Sequence, residues 1–135
     1  MAIRKSKVEK ENRKGKGEVF TPPSLAKEMV DTLTEVGIDY KVLDPCAGAT
    51  FVFPIMYMFK YIRTHGKENL VRFVNNMCVA ELNELALEYG SMIFMSYVKL
   101  LESTDPDKAE KIYFDSFDDI VNGYYDYCEA QNEGI

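Results

Sequence analysis

The sequence predicts an α/β fold: a shortened, three-strand parallel sheet with flanking helices. Three observations carry this reading. Three short apolar runs, Lys41-Val42-Leu43, Met77-Cys78-Val79-Ala80 and Lys111-Ile112-Tyr113-Phe114, each end at an acidic residue. Stretches with apolar residues at 3.6-residue spacing separate them, and such an alternation implies parallel strands joined by right-handed crossovers. The 135 residues are 47% hydrophobic and 28% charged, which fits one soluble domain with a core and excludes a wholly disordered or fibrous chain.

Taken in order, residues 1–16 form a basic arm, poor in apolar residues. Its seven cations (Arg4, Lys5, Lys7, Lys10, Arg13, Lys14, Lys16) leave it at a net +5, while the whole chain is −6 and the rest therefore −11. Such an arm can track a phosphate backbone. More simply, it can be a solvated terminus or fold against the acidic body. Gly17 to Pro23 leads into a helix, with Thr21 suited to the N-cap and Pro22 to the first turn. Leu25, Ala26, Met29, Val30 and Leu33 give this helix its apolar stripe, and it ends near Gly37.

The first strand, Lys41 to Leu43, breaks at Asp44-Pro45. Residues 53–63 read as an apolar helix, and 68–73 as a second helical piece. After the strand at Met77 to Ala80, a long helix covers residues 84–101, with Leu85, Tyr89, Met92, Ile93, Ser96 and Leu100 on one side and Gly90 marking close packing. A turn at Thr104-Asp105-Pro106 precedes the third strand, which ends at Asp115. A tyrosine-rich helix over 119–127 follows, suited to packing on a partner or, less directly, to stacking on bases.

No apolar stretch reaches the ~20 residues of a membrane span, and no secretory leader opens the chain. Cys46, Cys78 and Cys128 are odd in number and widely spaced, which argues against a disulfide framework or a structural zinc site and points to a reducing cytoplasm. His65, beside Gly66, reads as a surface loop residue rather than a metal ligand or a base.

The chemistry lies at the strand ends. In an open parallel sheet the ligand crevice lies beyond the carboxyl ends of the strands, so Asp44, Glu81 and Asp115 would line one cleft. Each could instead merely cap the next helix, but three in a row beside the small-residue loop Pro45-Cys46-Ala47-Gly48-Ala49-Thr50 favour a site. Acidic acceptors suit a donor-rich ligand. No Gly-x-x-x-x-Gly-Lys occurs and the loop carries no cation, so a nucleoside with a positive centre fits better than a nucleoside triphosphate.

These residues resemble a known family. Gly17-Glu18-Val19-Phe20-Thr21-Pro22 is similar to motif X of the γ-type amino-methyltransferases, the adenine-N6 DNA methylases of restriction–modification systems. Asp44-Pro45-Cys46-Ala47-Gly48 is similar to their motif I, Asp-Pro-x-x-Gly-x-Gly-x-Phe. Glu81, with Leu82 beside it, fits motif II, and Asp115-Ser116-Phe117 fits motif III. The resemblance covers residues 17–118. It implies a Rossmann-like methyltransferase domain over residues 17–135 with S-adenosylmethionine (SAM) as cofactor, in the cytoplasm of a bacterial or phage-infected cell. By the same resemblance Phe20 and Thr21 lie against the cofactor, and Asp44 and the Gly48 loop hold its methionine end. Glu81 accepts from the ribose hydroxyls, Asp115 takes the adenine amine and Phe117 packs on the ring.

The sequence departs from the family pattern in two ways. Thr50 occupies the second glycine of motif I, and Phe51 or Phe53 stands in for its phenylalanine. The catalytic motif IV, (Asp/Asn/Ser)-Pro-Pro-(Tyr/Phe), does not follow motif III, and Pro22-Pro23 reads as a helix start. No catalytic residue is therefore assigned. The expectation is a cofactor-binding part that completes itself with a motif IV polypeptide or by self-association, since an exposed apolar edge strand invites pairing. The alternatives are a non-catalytic SAM-binding or anti-restriction module, and an enzyme that cleaves SAM itself.

Overall fold

The computed structural model describes residues 20–133. Its elements are α1 (Pro23–Asp31), β1 (Val42–Asp44), α2 (Val52–His65), a 3-10 turn (Lys67–Asn69), α3 (Leu70–Asn76), β2 (Met77–Val79), α4 (Glu84–Ser103) and α5 (Pro106–Glu133). The basic arm and residues 17–19 lie outside the described residues, so the readings of Arg4 through Lys16 and of Gly17-Glu18-Val19 rest on sequence.

Helix α2 is the hub. It is apolar nearly all round, burying Val52, Pro54 to Phe59, Tyr61 and Ile62, as a helix surrounded by others must. Helices α1, α4 and α5 pack around it. Aromatic edges knit this core: Phe59 meets Tyr97 and Tyr113 with centroids 6.3 and 6.4 Å apart, and Tyr113 meets Tyr97 at 5.1 Å. Ion pairs fasten its rim, where Arg63 of α2 reaches Asp107 and Glu110 of α5, each at 2.8 Å, and Lys27 of α1 reaches Glu110 at 2.9 Å.

Strands β1 and β2 are parallel, with Val42 opposite Met77, Leu43 opposite Cys78 and Asp44 opposite Val79. One face of the pair, carrying Val42, Met77 and Val79, packs on the helical core. The other is open: Leu43 is 63% exposed and Cys78 is exposed as well. Parallel sheets normally bury both faces, and here one is uncovered.

The structure corrects several expectations. The described residues contain two strands, not three. Lys111 to Phe114 belongs to α5, a 28-residue helix with Pro106 in its first turn and the Asp105 carboxylate accepting from Lys108 N at 2.9 Å. Ala109, Tyr113, Phe117, Val121, Tyr124 and Cys128 form its buried stripe, and that 3.6-residue spacing overrides the β-propensity of four residues read alone. Of the tyrosines expected on a partner or on bases, Tyr113, Tyr124 and Tyr125 are internal, at most 1% exposed, while Tyr127 is half-buried and donates to Glu88 at 2.7 Å.

Helix α1 starts at Pro23 with Pro22 as N-cap and stops at Asp31, six residues before Gly37. The Lys60 ammonium donates to the Val30 and Leu33 carbonyls and so satisfies the helix end. Of the expected stripe, Ala26 and Val30 are buried, while Leu25, Met29 and Leu33 are 43–50% exposed. Helix α4 buries Ala86, Tyr89, Gly90, Phe94, Tyr97, Val98 and Leu101; both its sides are apolar, and the aromatic side wins over Met92 and Ser96. His65 closes α2 and is not a loop residue. Its Nε2 bonds the Val36 carbonyl and its ring lies 4.8 Å from that of Tyr61.

Candidate functional site

Where β1 and β2 end, their ladder continues into the loops. Ala80 N donates to the Asp44 carbonyl at 2.8 Å and Ala47 N to the Ala80 carbonyl at 3.1 Å. The Asp44 side chain turns the β1 loop by accepting from Cys46 N at 3.0 Å, an Asx-turn. Gly48 then takes a left-handed conformation (φ +69°), which glycine adopts without strain. Its N–H donates to Glu81 Oε1 at 3.0 Å, while Asn83 N donates to Glu81 Oε2 at 2.8 Å. One carboxylate from the β2 loop therefore fixes the β1 loop.

Two further contacts hold this loop from behind. The Tyr113 hydroxyl on α5 donates to the Thr50 carbonyl at 2.9 Å; burial raises its pKa, so it stays a donor. Gly90 lets α4 approach closely: a Cβ there would stand 2.3 Å from the Phe51 ring and 2.9 Å from the Gly48 carbonyl oxygen. Phe51 itself enters α2 with φ +48°, a conformation costly for a residue with a side chain.

Between the loop and the start of α1 lies a shallow cleft of about 50 Å³, with Phe20, Thr21, Cys46, Gly48, Thr50 and Phe53 among its walls. The Phe20 ring is set edge-on against Tyr124 and Tyr125, at 6.1 and 5.9 Å. No lysine or arginine lines it among the described residues.

The structure thus brings together Phe20, Thr21, Cys46, Ala47, Gly48 and Thr50 as walls, with Glu81 bonded to the loop. Of the two phenylalanine stand-ins, Phe53 lines the cleft, whereas Phe51 is buried against Phe94 and Gly90 and belongs to the core. Pro22 and Pro45 flank the cleft without lining it, and Leu82 is fully exposed. Asp44 lies at the sheet end, but its second oxygen, Oδ2, is buried without a partner and its side chain lines an apolar hollow of about 260 Å³ with Met29, Leu33, Leu43 and Tyr57.

Of the three acids expected to converge, Asp44 and Glu81 each accept from an N–H of the β1 loop, and neither lines the cleft. Asp115 is on the solvent side of α5, paired with Lys111 at 2.8 Å. Ser116 is half-buried and Phe117 packs edge-on against Tyr113 at 5.9 Å; none of the three lines the cleft. The reason is the helix: without a third strand there is no third strand end. The sequence reading passed over Asn83, and it assigned Tyr113 and Tyr124 to a partner or to bases rather than to the site. Asn83 directly before a helical pattern is an N-cap signal, and its Oδ1 accepts from Leu85 N and Ala86 N. The roles of the two tyrosines follow only from the course of α5.

Among the described residues no group of three or more histidine, cysteine or acidic side chains is arranged to hold a metal ion, and no helix is long and apolar enough to cross a membrane. No curated protein and no solved structure matches the chain. The family described as N-6 DNA Methylase does match, over residues 6–95, a span that holds α1, both strands, the cleft loop, Glu81 and most of α4. With more than half of its residues in that match, the chain belongs to the N-6 DNA methylase family.

Proposed function

We propose that the cleft holds S-adenosylmethionine and that the chain is the cofactor-binding part of a γ-type adenine-N6 DNA methyltransferase. The observation that carries this reading is the Gly48–Glu81 junction, where a glycine loop and a carboxylate meet at the end of a parallel strand pair. The residues suit the ligand. Small side chains let it approach the backbone, and among the described residues no cation lines the cleft to oppose a sulfonium. Each Glu81 oxygen accepts one N–H, and a carboxylate offers about four acceptor positions, so it can also take ribose hydroxyls. Asp44 Oδ2 is a further acceptor without a partner among the described residues, beside the cleft rather than in its wall; with the Gly48 loop it would hold the ammonium of the methionine end. Phe20 and Thr21 would cover the opposite side. The cofactor supplies the methyl group.

Clefts that enclose a small ligand run to about 300–1,000 Å³, well above the volume here, so a second wall is needed. We place it on a second polypeptide, which brings the Pro-Pro-aromatic acceptors and base recognition. Its support is the exposed apolar surface around β1: Leu43, with Met29 and Leu33 around the apolar hollow.

The test is calorimetry with SAM and its demethylated product. Glu81→Ala should weaken binding about tenfold or more, and the exposed α4 change Glu102→Ala should leave it unaltered. Equal affinity in the two variants, or a wild-type protein that ignores both ligands at millimolar concentration, overturns the assignment. For the partner, a pull-down from the host should recover a Pro-Pro-aromatic polypeptide; a monomer that returns alone refutes that part.

A further inference from the structure

We propose that Tyr124 of α5 is a positioning residue of the cleft, holding Phe20 on one wall and, through Asn83 and Glu81, the Gly48 loop on the other. Its functional meaning rests on the cofactor reading above. Tyr124 is fully buried. Its ring meets Phe20 edge-on, with centroids 6.1 Å apart and planes at 73°. Its hydroxyl accepts from Asn83 Nδ2 at 3.3 Å.

Asn83 is a junction. Its Nδ2 reaches Tyr124, its Oδ1 caps α4, and its N–H donates to Glu81 Oε2. The other Glu81 oxygen receives the Gly48 N–H. Three hydrogen bonds thus run from Tyr124 to Gly48, and one ring contact runs from Tyr124 to Phe20. Tyr124 itself sits on a helix beyond the family match, which ends at residue 95, whereas Phe20, Gly48, Glu81 and Asn83 lie within it.

A loop already held in its bound shape loses less freedom when a ligand arrives. Tyr124 therefore acts on affinity through preorganisation and need not touch the ligand. Tyr124→Phe separates the two roles, because it keeps the ring against Phe20 and removes only the hydroxyl. A single hydrogen bond of ordinary net strength corresponds to a several-fold change.

The experiment uses the full chain. In Tyr124→Phe, hydrogen exchange should quicken about fivefold at the Gly48 and Asn83 amides but not at Leu100, farther along α4. The dissociation constant for SAM should rise by a similar factor with little change in melting temperature. Tyr124→Leu, which loses the ring edge as well, should weaken SAM binding further. Exchange at Gly48 and Asn83 that stays at the wild-type rate overturns the proposal, and so does exchange that quickens equally along all of α4, the mark of a packing residue. If wild-type protein takes up no SAM, the cofactor reading fails on its own and the amide rates still decide the role of Tyr124.

Discussion

The two faces of the β1–β2 pair differ sharply in what covers them. Behind Val42, Met77 and Val79 stands a core of interlocking aromatic rings. On the other face Leu43 and Cys78 are exposed. Stability in this protein is therefore lopsided: one face carries the folding energy, and the other is apolar surface without a contribution to it. A substitution should cost in proportion to the side of the sheet on which it falls.

The largest effect belongs to the covered face. Phe59 is completely buried between Tyr97 and Tyr113, and Phe59→Ala should cost about 3–5 kcal/mol, enough to unfold a marginal domain; the urea midpoint measures it. Gly90→Ala comes next. Its new methyl would press on the Phe51 ring and on the Gly48 carbonyl, at about 1–3 kcal/mol for an overpacked contact, and SAM affinity should fall with stability because the loop must shift. Wild-type values for both quantities would mean that α4 does not back the loop. The smallest effect is on the open face: Leu43→Ser should change unfolding free energy by no more than about 0.5 kcal/mol. A loss above 2 kcal/mol would show that Leu43 is already covered in solution, and the comparison between the faces would then collapse.

How far the sequence discloses this architecture depends on the length of each signal. Val42 to Asp44 and Met77 to Val79 are legible because a short apolar run closes on an acid, and the parallel pairing follows from the helices between them. The junction of Gly48 with Glu81 is legible as the meeting of two strand ends. Lys111 to Phe114 misleads because four apolar or amphipathic residues fit a strand and a helix equally. Only the recurrence of Ala109, Tyr113, Phe117 and Val121 settles the matter, and it spans more than three turns. The error propagates: a misplaced strand puts Asp115 in the cleft. Helix α4 misleads differently, since Leu85, Ile93 and Leu100 make one plausible face while Phe94, Tyr97 and Leu101 make the buried one. Phase, unlike period, depends on neighbours that local sequence does not name.

Helix α5 has one more consequence. It lies beyond the family match, yet Tyr113, Phe117, Val121 and Tyr125 of this helix are buried in the common core and Glu110 anchors both Lys27 and Arg63. A fragment trimmed to residues 6–95 would bare Phe59 and leave Arg63 and Lys27 without their carboxylates. The segment that defines kinship is thus not an autonomous folding unit in this chain, and a domain boundary drawn from ancestry would cut through its interior.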